Sequence, residues 1–176
     1  MIRRVQALYD FECRLFNVIN SHFNKRVLNI FFRSITHLGG ASFLITSVLL
    51  LMFFSTGQIR ITAISSAFAL TISHLPVHFV KKMYPRKRPY LILKNVHFPR
   101  NPLKDHSFPS GHTTAIWSVA IPFVLFLPLF AVILLPLAVF IGLSRIYLGL
   151  HYPSDVIAGS ILGVGCGFLS FYLLNG

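Results

Sequence analysis

Long apolar stretches with almost no charge recur along this chain, and they restrict its fold more than any other feature. Crossing the hydrocarbon core of a bilayer takes about 20 mostly apolar residues in a helix. Four stretches predict such spans, of which the second is short: residues 59–80, 113–127, 129–147 and 156–174. Charged residues make up only 11% of the chain, against roughly 25% in soluble domains. A soluble globular fold is therefore excluded, and a multi-pass location in the cell membrane is predicted.

A fifth span is predicted to end at Phe54. Two arrangements are compatible with the residues before it. The first is a long segment that begins near Val27 and is interrupted by Arg33 and the pair Gly39-Gly40. The second is a shorter span that starts at Gly39 and is preceded by a separate helix. The sequence leaves both arrangements open.

Residues 1–26 differ from the spans because charged residues are interspersed among the apolar ones. The apolar positions recur at roughly helical spacing: Leu8, Leu15, Ile19 and Phe23. This is the pattern of an amphipathic helix that lies in the membrane interface. The predicted fold class is therefore all-α. We expect one membrane-embedded domain, 1–176, built as a polytopic helix bundle of about five spans, or six if another crossing precedes residue 41, with an N-terminal interfacial helix.

The basic residues indicate an anionic lipid partner. The net charge is +12, but the Lys and Arg residues concentrate at the N-terminal end of the chain and in one long loop, so a nucleic-acid partner is not expected. Basic residues near a membrane attract anionic headgroups. The loop, 81–108, contains half of the 16 Lys and Arg residues: Lys81, Lys82, Arg86, Lys87, Arg88, Lys94, Arg100 and Lys104. Loops of this length are uncommon unless they are functional or disordered.

Three short motifs follow one another from this loop onward. The first is Lys81, six further residues, then Arg88-Pro89. The second is Pro109-Ser110-Gly111-His112. The third is Ser144-Arg145, five residues, His151, three residues, then Asp155. In order and internal spacing they resemble the phosphatidic acid phosphatase type 2 family of membrane lipid phosphatases, which shares its phosphate site with vanadium haloperoxidases and bacterial acid phosphatases.

The residue types suit phosphoryl transfer without reference to the family. The reaction requires positive charge beside the nonbridging oxygens, an in-line nucleophile and a proton for the leaving group. Lys81, Arg88 and Arg145 are candidates for the positive charges, and the planar fork of arginine matches phosphate geometry. Ser110 and the backbone amide of Gly111 lie just before a predicted helix, where free N–H groups favour an anion. These five residues are the predicted phosphate-binding set.

His151 and Asp155 are four residues apart, close enough for the carboxylate to hold one ring nitrogen while the other attacks phosphorus. The family resemblance implies the roles that the spacing alone leaves open. His151 resembles a nucleophile that forms a phosphohistidine intermediate, and Asp155 resembles its orienting partner. His112 resembles the acid that protonates the leaving group. The implied mechanism uses no metal and no cofactor.

The predicted layout brings all three motifs, with 81–108 as an active-site loop, to one face of the membrane. The phosphate of a lipid lies at that interface while its tails remain in hydrocarbon. The sequence leaves open on which side of the membrane this face lies. The resemblance implies a site that faces away from the cytoplasm, whereas the basic residues on the site's side place it in the cytoplasm by the positive-inside rule.

The sequence thus predicts an integral membrane phosphatase that hydrolyses a lipid phosphate or diphosphate without a metal. Candidate substrates are phosphatidate, phosphatidylglycerophosphate and isoprenyl diphosphates such as undecaprenyl diphosphate. One alternative is a lipid phosphotransferase with the same site, which product analysis would distinguish. Another is a noncatalytic lipid-binding or lipid-transport membrane protein, whose activity would survive the substitution His151→Ala.

Overall fold

The computed structural model describes residues 2–175, with side chains from residue 6 onward. Every regular element in this range is helical, so the all-α prediction is confirmed there. The helices are α1 (Ile2–Asn20), α2 (Arg26–Leu38), α3 (Ala41–Phe54), α4 (Gly57–Met83), α5 (Pro89–Ile92), α6 (Gly111–Phe126), α7 (Ala131–Tyr147) and α8 (Pro153–Asn175), with a 3₁₀ turn at Pro128–Phe130.

Within residues 2–175, three helical segments are long and apolar enough to cross a membrane. They are α4, α8, and α7 together with the 3₁₀ turn before it. The bent pair of α2 and α3 adds a fourth if it forms one span, and α6 is a shorter apolar helix. With 16 residues, α6 is about 24 Å long, less than the roughly 30 Å of the hydrocarbon core. A count of five or six spans stays a prediction.

A sharp bend separates α2 from α3. The two helices meet at 51° across Gly39 and Gly40. A Cβ atom at Gly39 would lie 2.5 Å from Cγ2 of Ile141 in α7, so a residue without a side chain is needed for this close approach. The glycine pair thus interrupts the helix, as both predicted arrangements required.

Two predicted boundaries differ from the structure. α4 continues through Met83, so Lys81 lies in its last turn and not in the loop. Lysine is a good helix former, and its charge is favourable at a helix C-terminus. The predicted segment 1–26 is also not one helix, because α1 ends at Asn20 and α2 already begins at Arg26.

The helices α4, α6 and α8 pack against one another at the centre of the bundle. Three glycines repeat every four residues along α8 and leave no room for a side chain against α6. A Cβ atom would lie 2.7 Å from the carbonyl oxygen of Ser110 if placed on Gly159, and 2.7 Å from Cβ of Ile121 if placed on Gly167. This close packing brings the N-terminus of α6 beside the first turns of α8.

The N-terminal helix α1 packs on the ends of α7 and α8. Phe16 is fully buried, and its ring centroid lies 6.0 Å from that of Tyr152. The side-chain amide of Asn20 donates to the carbonyl oxygens of His97, at 2.8 Å, and Tyr147, at 2.9 Å. These contacts hold α1 and the long loop over the same end of the bundle. The placement of α1 in the membrane interface stays a prediction.

The glycine packing predicts opposite effects for two alanine substitutions on α8. A Cβ at Gly163 would lie 2.7 Å from Cβ of Trp117, whereas a Cβ at Gly165 would have no atom of the described part of the chain within 4 Å. We expect Gly163→Ala to destabilise the protein by about 1–3 kcal/mol through overpacking. Gly165→Ala is the matched control and should be neutral or slightly stabilising, since alanine favours a helix. Thermal unfolding in detergent measures both, and equal melting temperatures would contradict the packing.

Candidate active site

Residues of all three motifs meet at one end of the bundle. The last turns of α4 and α7, the first turn of α6 and the start of α8 converge there with the long loop. The amide of Ser110 donates to the carbonyl oxygen of Asp155 at 3.0 Å. The guanidinium of Arg88 lies 3.1 Å from Nε2 of His151. The structure therefore joins the first and second motifs to the third by direct hydrogen bonds.

Asp155 is a fully buried carboxylate that accepts hydrogen bonds from three residues. Its Oδ1 accepts from Nη1 of Arg86 at 2.7 Å. Its Oδ2 accepts from the amide of Tyr152 at 2.8 Å and from the hydroxyl of Ser107. A buried charge is costly unless it is paired and hydrogen-bonded. These bonds fix the position of the carboxylate at the start of α8.

His151 lies buried between Arg88 and Asp155. Because Nη1 of Arg88 donates to Nε2, the ring proton of the neutral side chain belongs on Nδ1. The distance from Nδ1 to Oδ2 of Asp155 is 3.6 Å, longer than a hydrogen bond. The predicted hydrogen bond is therefore not formed at normal length, and Oδ2 instead accepts from Ser107 and Tyr152.

The surroundings of His151 favour its neutral form. Burial is the main cause that lowers the pKa of His151 to about 4. Asp155 opposes this effect, and the charges of Arg88 and Arg145 add to it. The imidazole is therefore neutral at pH 7. Its lone pair is on Nε2, where it accepts the hydrogen bond from Arg88, so Nε2 is the ring nitrogen that can act as a nucleophile once this bond is released.

Lys81 and Arg88 share the carboxylate of Asp105. Nζ of Lys81 pairs with Oδ2, and Nη2 of Arg88 donates to Oδ1 at 2.7 Å. Arg88 is 1% exposed and also donates to the carbonyl oxygens of Asp105, at 2.8 Å, and Leu150, at 2.7 Å. Partial burial alone would raise the pKa of Asp105, but Lys81 and Arg88 lower it to about 2. Lys81 and Arg88, both predicted to bind phosphate, thus already pair with a carboxylate of the protein itself.

Arg145 is the predicted phosphate ligand with unused donors. The side chain is buried, and Nη1 donates to Oγ1 of Thr36 in α2 at 2.7 Å. Within the described part of the chain, Nε and Nη2 have no hydrogen-bond partner. Arg145 lines a cavity of about 320 Å³ together with His112, Arg33 and His37. An anion in this cavity would satisfy the two free donors, which are costly to leave unpaired.

The N-terminus of α6 lies beside this cavity. Ser110 precedes the helix and its hydroxyl lies 2.9 Å from Oγ1 of Thr113. Its amide is already used by Asp155, so the serine does not offer that group to a ligand. Space is open around Gly111, where a Cβ would meet no atom of the described residues within 4 Å. Because the first N–H groups of a helix have no intrahelical partner, the amides of Gly111 and His112 are suited to an anion.

Sequence reasoning assigned no role at the site to four residues that help to build it: Glu12, Thr36, Arg86 and Ser107. Nη2 of Arg86 pairs with Oε1 of Glu12 in α1, while its Nη1 bonds to Asp155. The hydroxyl of Ser154 donates to Oε2 of Glu12 at 2.5 Å. Glu12 is one of only four acidic residues in the chain, and this rarity is the signal that could have drawn attention to it.

A family model described as the PAP2 superfamily matches residues 62–176, more than half of the chain. The chain belongs to the PAP2 superfamily. The resemblance drawn from the three motifs is thereby confirmed. The matched segment begins within α4, so α1, α2 and α3 lie outside it. Glu12 and Thr36, which contact the site from α1 and α2, are therefore not part of the shared segment.

Two solved structures resemble this one over nearly its whole length. LpxE of Aquifex aeolicus is 29% identical, with a TM-score of 0.81 over 91% of this chain and 94% of that chain. A transmembrane PAP2-type phosphatidylglycerolphosphate phosphatase from Bacillus subtilis is 26% identical, with a TM-score of 0.79 over 95% of this chain and 86% of that chain. With the apolar helices, these neighbours indicate that the chain is a multi-pass membrane protein.

Curated relatives match over a shorter segment. A lipid A 1-phosphatase of Rhizobium johnstonii is 34% identical over 58% of this chain and 44% of its own length. An undecaprenyl-diphosphatase of Sulfolobus acidocaldarius is 33% identical over 70% of this chain and 59% of its own length. The chain thus spans about half the length of these relatives, and the names that they carry describe different lipid substrates.

Because Arg86 pairs with the buried Asp155, we expect the substitution Arg86→Gln to lower both the stability and the activity of the protein. Arg86→Gln leaves a buried carboxylate without this cation, at a cost on the order of 3 kcal/mol. We expect a lower melting temperature and a lower kcat, because the carboxylate beside His151 is no longer held. Arg60→Gln in the first turn of α4, where the side chain is exposed, is the matched control. Equal melting temperatures for the two variants would contradict this role of Arg86.

Proposed function

We propose that this protein hydrolyses a lipid phosphate or diphosphate through a phosphohistidine intermediate on His151. The observation that carries the proposal is a neutral, buried His151 at one end of the bundle, close to a basic cavity with two unpaired guanidinium donors. His151 supplies a nucleophile and Arg145 supplies charge for the phosphoryl oxygens. Together they provide what an in-line phosphoryl transfer needs from a protein.

The first step is attack by Nε2 of His151 on phosphorus. Nη1 of Arg88 donates to that nitrogen, so the bond must be released before the lone pair can attack. A phosphoryl oxygen beside Arg88 would accept the same N–H. A new N–P bond then forms as the P–O bond to the leaving group breaks, and His112 gives the leaving oxygen its proton. Asp155 lies near Nδ1 and stabilises the positive charge that develops on the ring.

The second step is hydrolysis of the phosphohistidine. Water attacks phosphorus and gives its proton to His112, which restores the acid used in the first step. The N–P bond breaks, inorganic phosphate leaves, and Nε2 regains its lone pair. Arg145 and the amides of Gly111 and His112 hold the nonbridging oxygens in both steps. Lys81 acts through Asp105, with which it pairs, and so supports the position of Arg88.

An apolar cavity near the site supports a substrate with a hydrocarbon tail. It has a volume of about 430 Å³ and lies between α3, α6 and α7, with a lining of apolar residues apart from Ser47. One of its lining residues, Leu38, follows directly after His37 of the basic cavity. A charged group and an apolar chain can therefore bind on either side of the bend at Gly39. Lipid phosphates have this combination.

Phosphate release by the detergent-solubilised protein tests the proposal. The substrates are phosphatidate, phosphatidylglycerophosphate and undecaprenyl diphosphate, each in EDTA. We expect wild type to release phosphate from at least one lipid, and His151→Ala to be at least about 10³-fold slower. His78→Ala, an exposed histidine in α4, is the control and should keep its activity.

The outcomes of this assay separate the alternatives. Activity that requires an added metal would contradict a metal-independent reaction. Normal turnover by His151→Ala would contradict the covalent mechanism. Substrate loss without an equal amount of free phosphate would indicate transfer to another acceptor. No turnover of any lipid by a folded protein would favour a noncatalytic lipid-binding role.

The lowered pKa of His151 predicts the acid limb of the pH profile. His151 must be neutral to attack, so kcat/KM falls as pH drops through its pKa. We expect an apparent pKa closer to 4 than to the roughly 6.5 of an unperturbed histidine. The phosphate group of the substrate also titrates in this pH range. Its pKa is measured separately by phosphorus NMR and used to correct the pH profile. A limb that stays near pH 6.5 after this correction would contradict the burial of a neutral His151.

A further inference from the structure

The charges around the nucleophile largely balance one another. Three cations of the long loop and the end of α4 pair with three carboxylates: Lys81 and Arg88 with Asp105, and Arg86 with Glu12 and Asp155. The fourth and last acidic residue of the chain, Asp10, accepts a hydrogen bond from Gln6 on the exposed face of α1. Any cation left over at this end of the bundle therefore lacks a carboxylate partner.

Among the described residues, two of the arginines that make no ion pair line the same cavity, Arg33 and Arg145. Arg145 has two unpaired donors, and Arg33 makes no ion pair within the described part of the chain. The cation of Arg33 lies 5.4 Å from the ring centre of Phe23, a contact that leaves its N–H groups for a ligand. His37 lines the cavity as well, and its lining contains no acidic residue. The cavity therefore offers a second guanidinium group, that of Arg33, beside the one of Arg145 that is assigned to the phosphoryl oxygens.

The helix α2 fixes Arg33 and His37 beside Arg145. Oγ1 of Thr36 accepts a hydrogen bond from Arg145 at 2.7 Å, which anchors α2 to the predicted phosphate ligand. Residues four apart on a helix lie on the same face, so Arg33 and His37 both reach the cavity. Its volume of about 320 Å³ is roughly ten times the 30 Å³ that one water occupies. This space exceeds what a single phosphoryl group requires.

We propose that Arg33 and His37 form a subsite for a second phosphate group of the substrate. This inference rests on the proposed function and specifies its substrate class: a lipid diphosphate whose terminal phosphate is cleaved. His151 attacks the terminal phosphorus, and the P–O bond of the anhydride breaks. The lipid monophosphate leaves with the electron pair on the bridging oxygen, which His112 protonates. Arg33 and His37 hold the departing phosphate.

A lipid monophosphate would use this subsite much less. Its leaving group is an alcohol, which is neutral once His112 has protonated the oxygen. Arg33 then has no anion to bind in the transition state. The subsite therefore raises the rate for diphosphates selectively, because only interactions that strengthen in the transition state accelerate the reaction.

The test compares two substrates with the same tail, farnesyl diphosphate and farnesyl phosphate. We expect wild type to prefer the diphosphate. Arg33→Gln should lower kcat/KM for the diphosphate by about 10- to 100-fold, the range for loss of a charge-assisted hydrogen bond, and change the value for the monophosphate less than threefold. Arg33→Lys should restore part of the preference. Arg26→Gln, at the start of α2 and not part of the cavity lining, is the matched control.

The result that would overturn the subsite differs from the one that would overturn the proposed function. Equal losses on both substrates, or no loss on either, would overturn the subsite while hydrolysis stands. So would a wild type that prefers the monophosphate. If the folded wild type hydrolyses neither farnesyl substrate and none of the other lipid phosphates, the proposed function is overturned. Melting temperatures identify a misfolded variant, and His37→Leu then provides a second test with the same expected selectivity.

Discussion

The buried carboxylate of Asp155 is the constraint on which the rest of the site depends. A charge without solvent needs partners on every side, and Asp155 obtains them from separate parts of the chain. Arg86 and Ser107 come from the long loop, and the amide of Tyr152 comes from the turn before α8. The position of His151, four residues earlier, follows from these bonds and from its contact with Arg88.

Pairing of the remaining charges decides where a substrate can bind. Most cations near His151 already contact carboxylates, and these ion pairs connect the loop to α1, α4 and α8. Arg145 differs because, among the residues that the structure describes, its side chain has one hydrogen-bond partner, the neutral hydroxyl of Thr36. The close contact of Gly159 with the start of α6 completes the arrangement, since it brings the helix N-terminus to the same cavity. In the proposed mechanism, binding of the substrate and positioning of the nucleophile thus depend on different residues.

Much of this could be predicted from the sequence, because apolar length and motif spacing are local properties. The long helices, the interruption at Gly39-Gly40 and the convergence of the three motifs follow from them. The contribution of α1 and α2 could not be predicted in this way. Glu12 pairs with a residue 74 positions away, and Thr36 with one 109 positions away. The pairing of Asp105 with both Lys81 and Arg88 also depends on how the loop folds.

The most direct test of the account is to trap the phosphorylated enzyme. A lipid substrate labelled in its terminal phosphate is mixed with excess protein, quenched in base, and the peptides are mapped by mass spectrometry. The account predicts an acid-labile, base-stable phosphate on the peptide that contains His151, absent from His151→Ala. Turnover without a labelled protein, or a label on His112 in place of His151, would contradict it.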